Sequence, residues 1–225
     1  MEEFDWKENI TKKEEKIQLG KEIAKRVKNG DTIGFGSGST AYAAVIEIAK
    51  RVKEEKLQIQ AVPTSKIIEE LCYQMAIPVI ELKDAKLDWC FDGADEVNQK
   101  QWMIKGMGAA LFREKLNIVN CSENYILVDE TKMVTTLGQK HPIPIECDAQ
   151  AIFYVIQKVK ELGAKNIEIR QSNQTKEPLI TDNGNRIVDA WFDNIDEDLE
   201  RKLKQIVGVI ETGLFIGYPV KIITK

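Results

Sequence analysis

Histidine is almost absent from this 225-residue chain, with His141 its only copy. That removes the side chain on which most zinc sites and imidazole proton relays depend. The four cysteines, Cys72, Cys90, Cys121 and Cys147, are scattered without a C-x-x-C pair. Neither a disulfide framework nor a zinc site is expected, and they read as buried reduced thiols. No apolar run in the sequence approaches the roughly 18–20 residues that a membrane helix requires. The stretch from Met1 to Lys13 is dense in charge and lacks the apolar middle of a signal peptide, so a cytoplasmic setting without membrane contact is expected. Positive charge is not in excess either: the net charge is -4 and the pI about 5.3, which argues against a nucleic-acid partner. An anionic metabolite stays open, because a local pocket of donors overrides a weak global field.

What is present is globular in character, with 43% hydrophobic and 30% charged residues. Ile17, Leu19, Ile23, Ala24 and Val27 recur at helical spacing up to the stop at Asn29-Gly30. A buried strand over Thr32 to Gly36 is expected next, then a helix on the stripe Ala41, Ala44, Val45, Ile48, Ala49 and Val52. Further strands are expected at Leu57–Val62, Ile77–Leu82, Leu87–Phe91 and Tyr125–Val128, with a helix around Ile67 to Met75. Such β-α alternation predicts an α/β fold, a Rossmann-like, mainly parallel sheet with helices on both faces. After Leu137, Gly138, Pro142 and Pro144 punctuate the chain, and a helix from Ile152 to Leu162 follows. A strand at Asn166–Arg170, a hairpin turning at Asp182 to Asn185 and a helix at Asp196–Ile206 predict a second, smaller α+β domain. The predicted organisation is 1–138 plus 208–225 for the larger domain, rejoined by strands at Val209–Ile216 and Val220–Ile223, and 139–207 for the smaller.

Chemistry-bearing residues gather at predicted strand ends, where ligands of open parallel sheets collect. In IGFGSGSTA, Gly34, Gly36, Ser37, Gly38, Ser39 and Thr40 are read between strand and helix. Glycines admit an anion close to the backbone and hydroxyls add donors, an arrangement that suits phosphate; an ordinary capped turn is the plainer alternative. Pro63-Thr64-Ser65 opens the next helix at the same edge, and capping explains it about as well. FDGADEVN concentrates Asp92, Asp95 and Glu96; Asp92 and Asp95 are candidates for proton handling and for hydrogen bonds to sugar hydroxyls, with an Asx-capped turn as the alternative. A metal reading is disfavoured, since the chain has no oxygen-ligand loop of EF-hand spacing. IKGMGAALFREKL carries Lys105 beside a glycine turn and Glu114 nine positions on, so turn and helix can bring ammonium and carboxylate to one cleft; a surface charge cluster is the alternative. LVDETK adds Asp129 and Lys132. His141, in a His-Pro-Ile-Pro segment, reads as structural.

Taken in order, GSGST, PTS, DGADE, KGMGAALFREK and VDETK resemble the motif succession of type A ribose-5-phosphate isomerases, and TDNGN and VGVIETGLF resemble that family's second domain and returning strand. The resemblance spans almost the whole chain. It implies interconversion of D-ribose 5-phosphate and D-ribulose 5-phosphate, in the non-oxidative branch of the pentose phosphate pathway, by a homodimer or homotetramer with neither cofactor nor metal. By position, Ser37, Gly38, Ser39 and Thr40 match the substrate-binding loop, and Asp92, Gly93, Ala94 and Asp95 the acidic turn. Lys105, Gly106, Met107 and Gly108 match the lysine–glycine turn, Glu114 the proton acceptor, and Lys132 and Lys16 basic groups for substrate. Met107 stands where the family usually has glycine, and it carries a strain if that position needs positive φ. A sugar-phosphate sensor of similar fold, without catalysis, is the alternative, but it requires a DNA-binding module for which the N-terminal residues are too few and too acidic. Amino-sugar phosphate deaminases and lactonases are expected to need a catalytic histidine, and a purely structural module leaves the clustered Ser, Asp, Lys and Glu unexplained.

Overall fold

Strands with no polar alternation must be covered on both faces, and the centre of the first sheet is built from such strands. In the computed structural model, which describes residues 11–172 and 175–225, β1 (Thr32–Phe35), β2 (Gln60–Pro63), β3 (Trp89–Asp92), β6 (Asn124–Val128) and β12 (Lys221–Thr224) form a parallel sheet in the order β12-β6-β3-β1-β2. Every residue of β3 and β6 is buried. Most of the charge-dense segment Met1–Lys13 lies outside the described residues. Helices α1 (Lys13–Ala24), α2 (Gly38–Glu55) and α3 (Lys66–Gln74) alternate with these strands. The first two pack closely because Gly20 has no side chain: a Cβ there would lie 3.0 Å from the Ala43 carbonyl oxygen and the Ala44 Cα. The expected strand at Ile77–Leu82 does not form; this stretch makes one bridge, Val79 to Ala61, and then turns at Leu82–Asp84. All four thiols are reduced and buried. Burial pushes Cys72 up to about 12 and Cys147 up to about 11, whereas a hydrogen bond with the Cys90 thiol draws Cys121 down to about 7.

The chain forms two compact units. The first comprises residues through Gly93 with Leu116–Thr131 and Pro219–Lys225, and the second comprises Ala94–Lys115 and Lys132–Tyr218. In the second, β4 (Glu96–Val97), β5 (Met103–Ile104) and β11 (Leu214–Phe215) pair antiparallel in the order β11-β5-β4. A four-stranded antiparallel sheet contains β7 (Ile143–Cys147), β8 (Asn166–Ile169), β9 (Arg186–Trp191) and β10 (Val209–Thr212) in the order β10-β7-β9-β8. Helices α5 (Ile152–Glu161) and α6 (Leu199–Lys204) supply Val155, Val159, Leu199 and Leu203 to its core.

Three sequence expectations change here. The segment around Pro142 and Pro144 is the central strand β7, not a break. Pro144 fits because its carbonyl accepts from Gly213 N–H at 2.7 Å, so the side lacking a donor faces the end of β10 and leaves the β9 ladder whole. The expected hairpin has one strand: β9 pairs with β7 and β8, and the arm before the turn makes only the bridge Pro178 to Gln171. Finally, Val209–Ile216 does not return to the first sheet; only β12 does, parallel to β6.

Helix α4 (Leu111–Val119) contributes Lys115, a buried cation that joins the second unit together. Its ammonium donates to Glu200 Oε1 at 2.6 Å, Glu211 Oε1 at 3.0 Å, Thr212 O at 2.8 Å and Leu214 O at 2.7 Å, and stands 4.5 Å from the Phe215 ring centroid. Burial alone raises Glu211, but the Lys115 charge, the Thr212 N–H and Lys204 outweigh it and hold the carboxyl below its ordinary value. A folded value below the unfolded 4.5 means this contribution is complete above that pH and is lost as pH falls through the lowered value. Lys115→Met is therefore expected to destabilise by about 3–5 kcal/mol at pH 7, because it removes the cation beside the part-buried Glu200 and leaves Glu211 with Lys204 alone. In urea melts across pH 3 to 7, the deficit should narrow in acid. A deficit independent of pH contradicts this account.

Candidate active site

The loop between β1 and α2 is shaped by one carboxylate. Asp92, at the end of β3 and 3% exposed, accepts through Oδ1 from Ser37 N–H at 3.0 Å and Gly93 N–H at 2.7 Å. Gly36 lies against it: a Cβ there would fall 2.2 Å from the Asp92 Cγ and 2.5 Å from its Cα. This is why glycine is required after β1, a reason invisible in local sequence. Gly38, at φ +82°, turns the chain into α2, and Ser37 stands at the N-cap with no side-chain capping bond. Ser39 and Thr40 are half-buried in the first turn of this 18-residue helix, whose N–H groups and dipole make that end attractive to anions. At the neighbouring strand end, Ser65 caps α3 by accepting from Ile68 N–H at 3.4 Å. The buried Thr64 hydroxyl has no hydrogen-bond partner among the described residues. Lys16 is buried on α1, while Lys132 is half-buried in a short helical turn after Asp129, whose carboxylate accepts from Thr131 N–H at 2.9 Å.

In the second unit, Lys105 Nζ and Glu114 Oε2 are 3.2 Å apart, both buried, at 2% and 4% exposure. Two charges so removed from water are tolerated only through such pairing. Lys105 follows β5, and its N–H donates to Gly213 O at 2.9 Å. Gly213 must be glycine, since a Cβ would sit 2.2 Å from the Lys105 carbonyl oxygen. The Lys105 ammonium is 5.7 Å from the centroid of the Phe215 ring that Lys115 also faces. Glu114 lies in the first turn of α4, where a carboxylate complements the helix dipole. Between them, Gly106 takes φ +100° and its carbonyl accepts from Ala109 N–H at 3.0 Å. Met107 is not among the positive-φ residues, so methionine at this position carries no left-handed strain. Met107 and Gly108 are exposed, and Met107 N–H donates to Asp95 Oδ2 at 3.1 Å. Ala94 and Asp95 are half-exposed.

The acidic cluster thus divides by role. Glu96 is fully buried and accepts from the N–H groups of Gly138 at 2.7 Å, Lys140 at 2.5 Å and His141 at 2.7 Å, which makes it an anchor for that loop. Sequence reasoning missed Arg170, which donates to the Gly106 and Met107 carbonyls from 63 or more residues away. Its strand-end position in an ordinary alternating run offers no local signal. Among the described residues no group of three or more His, Cys, Asp and Glu is disposed to hold a metal ion.

Gly36→Ala should force Asp92 aside, since the overlap includes backbone as well as side chain. The expected loss is about 1–3 kcal/mol in urea melts, with faster amide exchange at Ser37 and Gly93. Wild-type stability and exchange in this variant contradict the reading of Gly36.

Comparison with known proteins sets these features in a family. The family model for ribose 5-phosphate isomerase A (phosphoriboisomerase A) matches residues 60–225. A ribose-5-phosphate isomerase A of Methanocaldococcus jannaschii is 41% identical over 203 residues, covering 89% of each chain. The solved structure of ribose 5-phosphate isomerase A from that organism superposes with a TM-score of 0.90 at 38% identity, covering 94% of this chain and 95% of the other. A D-ribose-5-phosphate isomerase in complex with phospho-erythronic acid also gives a TM-score of 0.90, at 37% identity and 96% coverage of both. The chain, with its parallel α/β sheet, its GSGST and DGADE turns and its KGMGAALFREK segment, belongs to the ribose 5-phosphate isomerase A family.

Proposed function

We propose that this chain interconverts D-ribose 5-phosphate and D-ribulose 5-phosphate through an enediolate, with Glu114 as the base. The observation that carries the proposal is the buried Lys105–Glu114 pair at 3.2 Å. The hydrogen on C2 of an open-chain aldose is weakly acidic, so its removal needs a positioned base and a stabiliser for the charge that develops on oxygen. In the proposed sequence Glu114 takes the proton from C2 and returns it to C1, while the O2 proton passes to O1. Lys105 stabilises the enediolate oxygen. Asp92 assists ring opening and exchanges protons with the sugar oxygens, and Asp95 orients hydroxyls with the carboxylate that also holds the Met107 N–H.

Phosphate is assigned to Ser37, Gly38, Ser39 and Thr40, with Lys16 and Lys132 supplying positive charge and Gly93, Ala94, Gly106, Met107 and Gly108 lining the sugar. Binding at the phosphate holds the reacting carbons in register. Support for the ligand class comes from a relative at 37% identity, named as a complex with phospho-erythronic acid, itself a phosphorylated sugar acid. The proposal includes a homodimer or homotetramer working in the cytoplasm, with Lys105 in the electrophilic role and no metal required. It favours catalysis over a sensor because sensing does not call for an acid–base pair desolvated to this degree.

Glu114→Gln keeps the shape of the side chain and removes the base. Turnover of ribose 5-phosphate should fall about 10²–10⁴-fold with little change in KM, and wild-type turnover should persist in a chelator. Unaltered turnover in Glu114→Gln removes the base from this residue, and no turnover in the wild type favours the sensor.

A further inference from the structure

Arg170 uses all of its hydrogen-bonding capacity on three residues, Asp189, Gly106 and Met107. A guanidinium has five N–H donors in a rigid plane. Nε and one terminal nitrogen of Arg170 form a fork on Asp189, with Nε to Oδ2 at 2.8 Å, and the same terminal nitrogen reaches the Met107 sulfur at 3.6 Å. The other terminal nitrogen donates to Gly106 O at 2.7 Å and Met107 O at 3.0 Å. Five acceptors therefore meet five donors. The side chain is 9% exposed and its partner Asp189 is 14% exposed. Asp189 lies within β9, paired with β8, which ends one residue before Arg170. The fork therefore rests on a sheet and not on a loop.

The consequence falls on the turn after Lys105. Peptide bonds among the described residues are all trans, so each carbonyl and its adjoining N–H point in opposite directions. Arg170 takes the Gly106 carbonyl and Asp95 takes the Met107 N–H of the same peptide plane. The next plane is held by Arg170 through the Met107 carbonyl. Of two consecutive peptides immediately beyond the lysine of the buried pair, the first is thus held at both its carbonyl and its N–H and the second at its carbonyl. Methionine in place of the family's usual glycine adds a thioether acceptor that completes the guanidinium's set.

We infer that Arg170, oriented by Asp189, is a positioning residue for the isomerisation, fixing the 106–108 turn and with it the placement of Lys105. The inference rests on the assignment of Lys105 and Glu114 to the reaction, so Glu114→Gln is measured alongside.

Arg170→Lys keeps the charge, but the three donors of an ammonium radiate from one atom and lack the planar fork that reaches Asp189 and the turn at the same time. At a temperature where circular dichroism shows the variant folded, kcat should fall about 10–100-fold and by more than KM rises. Asp189→Asn should lower kcat in the same sense, and the double variant should be no worse than Arg170→Lys alone, because both changes act through one contact. A purely structural role instead lowers the melting temperature and leaves kcat and KM of the folded protein unchanged, which overturns the inference. Multiplying losses in the double variant, or failure of both single variants to fold, overturns it as well. If Glu114→Gln stays active, the catalytic assignment has failed. If it is inactive while Arg170→Lys keeps wild-type kinetics, only the positioning role has.

Discussion

An ammonium and a carboxylate held out of water 3.2 Å apart constrain everything around them. Desolvating either group alone is costly, so the protein must deliver both to one place in good geometry. Lys105 is delivered by β5 through its backbone bond to Gly213, and Glu114 by the first turn of α4. Neither element is long: β5 has two residues and α4 nine. Their rigidity comes from neighbours. Lys115, next to Glu114, draws Glu200, Glu211 and two carbonyls around itself, and thereby secures α4 against the segment carrying Gly213 and Phe215.

A second theme is the use of carboxylates to hold backbone amides. Glu96 accepts from three N–H groups, Asp92 from two and Asp95 from one. Burial separates Glu96 from Asp95. Glu96 is sealed within the protein and serves the loop alone, whereas Asp95 is half-exposed and keeps acceptor capacity for a ligand. Glycines complete the design where such groups press on the chain, at Gly36 against Asp92 and at Gly213 against Lys105.

Much of this was legible in the amino-acid order. The stripe from Ala41 to Val52 and the apolar run at Tyr125–Val128 announce α2 and β6, since long periodic or wholly apolar segments carry their own signal. What escaped notice depends on distant partners. Strand β7 was hidden by Pro144, whose missing donor is harmless only because it faces Gly213. The two-residue strands β4, β5 and β11 are too short for any period. Ile77–Leu82 looked like a strand but adds to no ladder beyond the single bridge at Val79. In the candidate site, the spacing of nine residues between Lys105 and Glu114 pointed to a meeting of opposite charges. By contrast, Glu96 stands in the same acidic run as Asp92 and Asp95 with nothing local to mark it as an anchor, and Arg170 carries no local signal at all. Tertiary bonding, not local composition, decides both.

The central claim is that a carboxylate carries a proton between two carbons, and the direct test follows hydrogen on the sugar itself. Ribose 5-phosphate converted by the wild-type protein in deuterium oxide should yield ribulose 5-phosphate with deuterium at C1, and the remaining aldose should gain deuterium at C2 on prolonged incubation, as observed by proton NMR. Complete retention of the original hydrogen through many turnovers, in both sugars, would mean that it moves without visiting an exchangeable acid, and would contradict the account.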